Sequence, residues 1–253
     1  MGSLLRCLLA FSLLLFSVGS RVEAQCVEGT QAFGAGEVLD YAAYYKWGFV
    51  WVKAGVAKFS VAEENGNYKF TVVADNLPKW EWLYSLHSRH TASVTKDFKP
   101  LYMQASTSEN GVVTKDYYRY DGDFIYKTYS SRKDTLVRTK VIEHPACSWD
   151  IINAVYVARS MDVRNRKEKS KIPFHVIFND SVYTIYGSVL GREKIETRTG
   201  KEYDCLKCTA TVVEGTMFEA GVPVYVWITN DVRQIPVLVE SKIKVGSVKV
   251  YLE

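Results

Sequence analysis

Histidine, proline and cysteine are scarce in this chain of 253 residues, which has 4 His, 6 Pro and 5 Cys. Few histidines leave few candidates for general acid-base catalysis or for metal binding. A Gly-x-Ser-x-Gly nucleophile elbow and a glycine-rich phosphate-binding loop are both missing from the sequence. We therefore expect a protein that is not an enzyme and that has no catalytic residues, no metal site and no cofactor.

A strong excess of one charge is also lacking, because the chain has 32 basic and 28 acidic residues and a net charge of +4. This balance argues against a nucleic-acid partner. One basic run stands out, Arg164–Lys169, in a polar stretch. It favours a solvated loop, and the alternative is contact with an anionic lipid or polymer.

The only extended apolar run lies at the N-terminus, where Met1–Ala24 is typical of a secretory signal peptide. Arg6 supplies the positive charge, and Leu8–Val18 is too short for the roughly 20 residues of a membrane span. We expect cleavage before Gln25, a single exported domain over residues 25–253, and no transmembrane span after cleavage.

Four cysteines remain after the signal peptide is removed: Cys26, Cys147, Cys205 and Cys208. They are disulfide candidates with three alternative pairings. Cys205 and Cys208 lie in a strand-like run, where residues three apart face opposite sides about 10 Å from each other. A disulfide needs Cα atoms within about 7 Å, so these two should not bridge each other.

Aromatic and β-branched residues alternate with polar ones along most of the chain, for example at Tyr68, Phe70 and Val72. This period of two predicts half-buried strands. Short turn sequences separate the runs, among them Asn65-Gly66 and Asn110-Gly111. The pattern predicts a mainly β protein of roughly a dozen antiparallel strands, as a curled sheet or a half-open or closed β-barrel.

Two segments break this alternation. Pro78–His87 predicts one or two helical turns. Ser148–Asp162 predicts one central α-helix, with Ser148 as its cap and an apolar stripe that begins at Ile151.

Two clusters are candidates for a site. Four tryptophans occur around short loops in the first third of the chain: Trp47, Trp51, Trp80 and Trp82. They either fill the core or line an apolar ligand cavity. His87 and His90 have the spacing of metal ligands on a helix, although two unrelated surface histidines are the simpler interpretation.

Several short motifs follow one another along the chain: Phe33–Leu39, Tyr44–Gly48, Ala54-Gly55, Trp149–Arg159, Gly191–Glu193, Thr199–Lys207, Val226–Asp231, Ile235–Val237 and Gly246–Lys249. Taken in this order, they resemble the exported bacterial domain-of-unknown-function family 3108. Asn153 departs from the small residue that is frequent in the family helix. The closing motifs also resemble lipoprotein-carrier proteins, which fold as curled half-barrels with a helix against the concave face and bind acyl chains there.

The family has no established activity, so the resemblance implies a fold and a bacterial envelope location, in the periplasm or outside the cell. Our leading hypothesis is a non-enzymatic protein that binds an apolar or amphipathic, lipid-like ligand. The alternative is a structural or interaction module that binds an envelope protein or polymer. A third hypothesis, a hydrolase or metal enzyme, requires His87 and His90 to converge with a carboxylate.

Overall fold

The computed structural model describes residues 26–27, 29–131, 134–211, 223–242 and 246–253. The expected signal peptide, Met1–Ala24, and the expected new N-terminus, Gln25, lie outside the described residues.

Within these described ranges, fifteen strands form one sheet. In chain order they are β1 (Val38–Trp47), β2 (Val50–Glu64), β3 (Asn67–Asn76), β4 (Leu86–Val94), β5 (Pro100–Glu109), β6 (Val112–Asp121), β7 (Phe124–Ser131), β8 (Asp134–Glu143), β9 (Ser148–Asp150), β10 (Ile172–Phe178), β11 (Ser181–Glu196), β12 (Glu202–Thr211), β13 (Pro223–Thr229), β14 (Pro236–Lys242) and β15 (Ser247–Leu252). One α-helix, α1 (Ile151–Arg159), lies between β9 and β10, and a short 3-10 helix, Pro78–Trp80, follows β3.

The strand order is β8-β7-β6-β5-β4-β3-β2-β1-β15-β14-β13-β12-β11-β10-β9. Nearly every strand therefore pairs with its sequence neighbours. The exceptions are β1 and β15, which pair antiparallel with each other, and the edge strands β8 and β9. Of the strand pairs that the structure describes, only β9–β10 is parallel. The expected antiparallel sheet with one α-helix is confirmed for the described residues, which form 15 strands rather than roughly a dozen.

The hairpin turns form where the sequence predicted them. Asn65 and Gly66 have φ values of 53° and 77°, and Asn110 and Gly111 have 48° and 78°. Two successive positive φ values are the geometry of tight β-hairpin turns, and asparagine and glycine adopt it with little strain.

The helix is shorter than Ser148–Asp162, and Ser148 is not its cap. Ser148 lies in β9 and donates its hydroxyl hydrogen to Pro145 O at 2.7 Å. Asp150 caps the helix instead, because its Oδ1 accepts the amide hydrogens of Ile152 and Asn153 at 3.1 and 3.0 Å. Asn153 also donates through Nδ2 to Asp150 Oδ2 at 2.5 Å. The unusual residue in the family helix therefore strengthens the cap.

The helix packs on both halves of the sheet. On the N-terminal half, the Tyr156 ring stacks on Phe70 with centroids 3.9 Å apart, and Phe33 meets both rings edge-on. On the other half, Trp149, just before the helix, stacks on Phe174 of β10 with centroids 5.0 Å apart. The rings of Tyr156 and Phe33 pack the helix against β3, and the ring of Trp149 packs the segment before the helix against β10.

The two ends of the sheet approach each other through side chains. Tyr118 of β6 donates its hydroxyl hydrogen to Asn179 O in the β10–β11 turn at 2.8 Å. Lys127 of β7 lies 2.9 Å from Asp180 in the same turn, and Lys140 of β8 lies 3.2 Å from it. The sheet curls enough for these contacts, although no backbone ladder joins β8 to β9.

Cys26 and Cys147 form a disulfide with Cα atoms 5.1 Å apart. Cys205 and Cys208 are free thiols, and they do not bridge each other, as the strand geometry predicted. No helix among the described residues has the length and apolar character needed to cross a membrane.

Candidate functional site: an apolar cavity beside the helix

A cavity of about 350 Å³ lies between α1 and the C-terminal half of the sheet. Pockets that hold small molecules typically have volumes of about 300–1,000 Å³. The cavity is therefore large enough for a small apolar ligand.

Alternating residues of the strands form the sheet wall of this cavity. Ile185, Gly187 and Val189 lie at every second position of β11, and Val226 and Ile228 do so on β13. Side chains at such positions point to the same face of a sheet. Gly187 removes side-chain volume from the middle of this wall, since a Cβ atom built there meets only Ile172 O and Thr209 O, each at 3.9 Å.

The helix wall consists of Val155, Ala158 and Arg159, and Met161 extends it beyond the end of α1. Ala158 is exposed although it lines the cavity. This exposure shows that the helix side of the cavity is open to water.

The charge of Arg159 is already matched. Its guanidinium group donates to both carboxylate oxygens of Glu37, at 2.6 and 3.0 Å, and also to Ala32 O at 3.1 Å. The side chain is buried, with 3% of its surface exposed. Arg159 therefore supplies apolar stem to the cavity wall while its charge is held by Glu37.

The other polar groups on the cavity wall are uncharged. Burial raises the pKa of the Cys208 thiol to about 11, so this group stays protonated and is a poor nucleophile at neutral pH. The Thr209 hydroxyl is buried and has no hydrogen-bond partner among the described residues. The described residues that line the cavity include no histidine and no carboxylate. The arrangement suits apolar binding.

The four tryptophans lie elsewhere. Trp51 is on β2 and half-buried, Trp80 donates its indole N–H to Lys53 O at 2.8 Å, and Trp82 is 79% exposed. Trp47 ends β1, and its side chain is outside what the structure describes. Trp51, Trp80 and Trp82 lie around one end of β1–β3 and do not line the cavity beside α1. Their role in ligand binding stays a prediction.

His87 and His90 do not converge. Both lie in β4, where residues three apart face opposite sides of the sheet. His87 Nδ1 lies 2.8 Å from Asp75, and His90 Nε2 lies 2.7 Å from the Ser88 hydroxyl. No group of at least three His, Cys, Asp or Glu side chains suited to a metal ion occurs in the described part of the chain.

A family model for proteins of unknown function, DUF3108, matches residues 40–253. The chain belongs to this family. The match covers all fifteen strands except the first residues of β1. The matched residues therefore include the sheet, the helix and the residues that line the cavity. The family description assigns no activity to them.

The fold is also similar to a solved structure, a β-barrel-like protein of domain of unknown function DUF1849 from Brucella abortus. The TM-score is 0.58 over 85% of this chain and 94% of that chain. The two sequences are 7% identical, so the likeness concerns the fold alone. A comparison with curated proteins found no match.

Sequence reasoning missed the cavity, because its walls come from one helix and five strands, and the space between them depends on how the helix packs on the sheet. A weak signal was present in β11. Gly187 interrupts an apolar alternation that contains Ile185 and Val189, and a glycine in a strand interior often marks space for another group.

Proposed function

We propose that this DUF3108 protein is an exported, non-enzymatic protein of the bacterial envelope that binds an apolar or amphipathic, lipid-like ligand in the cavity beside α1. The apolar cavity, open to water at Ala158, carries the proposal. Binding there would remove apolar surface of both ligand and wall from water, which stabilises the complex by about 25 cal/mol per Å².

Two features support an exported, non-enzymatic role. The bridge between Cys26 and Cys147 suits an oxidising compartment, as does the signal-like N-terminus. The cavity wall supplies a protonated thiol and a guanidinium paired with Glu37, so it offers apolar contact in place of acid-base groups.

A glycine substitution tests the proposal. Gly187→Leu should fill the cavity, because a Cβ atom at this position has no close contacts. The substitution should be tolerated in β11, since glycine is unfavourable inside a strand. Gly34→Leu is the matched control, since no atom lies within 4 Å of a Cβ built at Gly34, which is not a cavity residue.

Both variants and the wild type would be purified and extracted for bound apolar molecules, and then titrated with the fluorescent probe N-phenyl-1-naphthylamine. We expect Gly187→Leu to bind the probe at least tenfold more weakly, and Gly34→Leu to match the wild type. Equal binding by all three proteins, or no binding by the wild type, would overturn the proposal.

The alternative, an interaction module, is favoured by one observation. Five apolar side chains are exposed at one end of the sheet, in the β1–β2 turn, at the start of β2 and in the loop after the 3-10 helix: Phe49, Val50, Trp82, Leu83 and Tyr84. Phe49 is fully exposed, at 102% of its reference area. Exposed apolar patches of this kind are typical of protein interfaces.

A photo-crosslinking amino acid at Phe49 tests this alternative in intact cells. A module of this kind predicts one discrete envelope protein crosslinked from position 49. The same probe at Asn65, in the turn at the opposite end of β2, should give none. Equal crosslinking from both positions, or none from either, would count against the alternative.

A further inference from the structure

The loop that joins α1 to β10 is basic and borders the apolar cavity. It leaves the cavity wall at Met161 and Val163 and returns to it at Ile172. Midway, the Lys169 amide donates to Val189 O at 2.8 Å, which fixes the loop against a strand of the same wall. The basic run of the sequence therefore lies at the edge of the cavity.

This loop carries cations that lack acidic partners. Residues 164–169 are exposed and include Arg164, Lys167 and Lys169. Among the described residues, none of these three lies within ion-pair distance of a carboxylate: every salt bridge found there involves other side chains. Their charges are available to an anion that approaches the cavity.

A second, smaller cavity of about 200 Å³ adjoins the first, and Met161 lines both. Its wall is polar and includes Asp162, Arg164, Asn165 and Gln234. The Asp162 carboxylate accepts a hydrogen bond from Asn165 Nδ2 at 2.8 Å. Gln234 is buried, with 4% of its surface exposed, and its Oε1 has no hydrogen-bond partner among the described residues. An apolar compartment and a polar compartment thus meet at Met161.

We infer that the ligand is a single-chain amphiphile with an anionic head group, a carboxylate or a phosphate. Its chain occupies the cavity beside α1, and its head group lies against the loop of residues 164–169. The inference rests on the proposed function, because it assigns the head group of a ligand whose chain fills the same cavity. Charge complementarity selects the anion, and the apolar walls select the chain.

Four probes with the same twelve-carbon chain test the inference by calorimetry on the full mature protein, below their micelle concentrations. They are dodecanoate, dodecyl phosphate, dodecanol and dodecyltrimethylammonium. We expect the two anions to bind at least tenfold more tightly than the alcohol and the cation at low salt. The difference should shrink in high salt, because a Debye length of about 10 Å at 0.1 M falls to about 3 Å at 1 M. The ratio between dodecanoate and dodecyl phosphate identifies the head group.

A charge-reversed variant locates the head group. Arg164→Glu, Lys167→Glu and Lys169→Glu together should remove the preference for anions and leave dodecanol binding unchanged. The matched control reverses three other exposed lysines, Lys46, Lys99 and Lys115, which do not line either cavity. This control should keep the preference.

The outcomes separate the inference from the proposed function. If all four probes bind equally and Gly187→Leu weakens the binding of each, the cavity binds apolar chains but the inference of an anionic head group is wrong. If the anions are preferred but loop reversal has no effect, the inference is also overturned. If no probe binds, both the inference and the proposed function fail.

Discussion

Arg159 and Glu37 form a two-pronged ion pair, with Nη1 2.6 Å from Oε1 and Nη2 3.0 Å from Oε2. Arg159 is the last residue of α1, and Glu37 directly precedes β1. The pair ties the C-terminal end of the helix to the N-terminal half of the sheet. It also fixes Arg159 in the wall of the apolar cavity.

Glu37→Gln should strongly destabilise the fold, because it leaves the buried guanidinium without its counter-charge. Removing one member of a buried pair typically costs about 3–5 kcal/mol. Urea unfolding measures the loss. Glu202→Gln is the control, since its pair with Lys194 is exposed and such pairs contribute about 0–1 kcal/mol. Equal effects of the two substitutions would contradict the prediction.

Asp150 should make stability fall as pH rises in the acidic range. Burial raises the pKa of its carboxyl from 3.8 to about 6, against the opposing effect of its hydrogen bonds. Between these values the folded protein binds more protons than the unfolded chain, so raising the pH lowers the free energy of unfolding. The loss across this window is on the order of 3 kcal/mol.

Asp150→Asn checks this pH dependence, because asparagine also caps helices but does not titrate. Urea unfolding from pH 4 to pH 7 should show the wild type losing stability relative to the variant. Other carboxyls affect both proteins alike and cancel in the difference. A difference between the two proteins that stays constant with pH would refute the assignment.

The disulfide should contribute strongly to the stability of the fold, because Cys26 and Cys147 are 121 residues apart and the bridge restricts a long loop in the unfolded chain. Replacing both by alanine should cost about 2–5 kcal/mol and make the melting temperature insensitive to reductant. A variant with Cys205→Ser and Cys208→Ser should remain sensitive to reductant. Loss of that sensitivity in the second variant would contradict the pairing.

Removing the hydroxyl group of Tyr156 and removing that of Tyr118 should change the stability of the protein in opposite directions. The buried Tyr156 hydroxyl has no partner among the described residues, so Tyr156→Phe should raise stability by about 1 kcal/mol. The Tyr118 hydroxyl bonds to Asn179 O, so Tyr118→Phe should lower stability by about 1 kcal/mol. Thermal unfolding of both variants tests the pair, and changes of the same sign would argue against it.

Local features of the fold were readable from the sequence because they depend on near neighbours. The turn at Asn65-Gly66 needs positive φ values, which these residues supply themselves. The alternation of Tyr68, Phe70 and Val72 follows directly from the strand period. Asp231 likewise stabilises a turn with its near neighbours, because its Oδ1 accepts hydrogen bonds from the Arg233 and Gln234 amides.

Features that depend on distant partners were not readable in the same way. Ser148 is a good capping residue by type, but the pairing of β9 with β10 holds it in a strand and leaves Asp150 to cap. The cavity depends on how far α1 stands from β11, which no local pattern encodes. The exposed position of Trp82 depends likewise on where its loop packs.

The pairing of β1 with β15 also has a consequence for folding. Tyr41 faces Leu252, so the middle of the sheet joins the earliest and the latest described strands to be synthesised. Contacts so distant in sequence form slowly, since a large loop must close before they contribute. Strands β1–β8 and strands β9–β15 can each begin to fold as local hairpins. The two halves of the sheet pair only after β15 has been synthesised. A chain stopped before β15 would therefore lose its centre rather than an edge, and would expose two unpaired strands to aggregation.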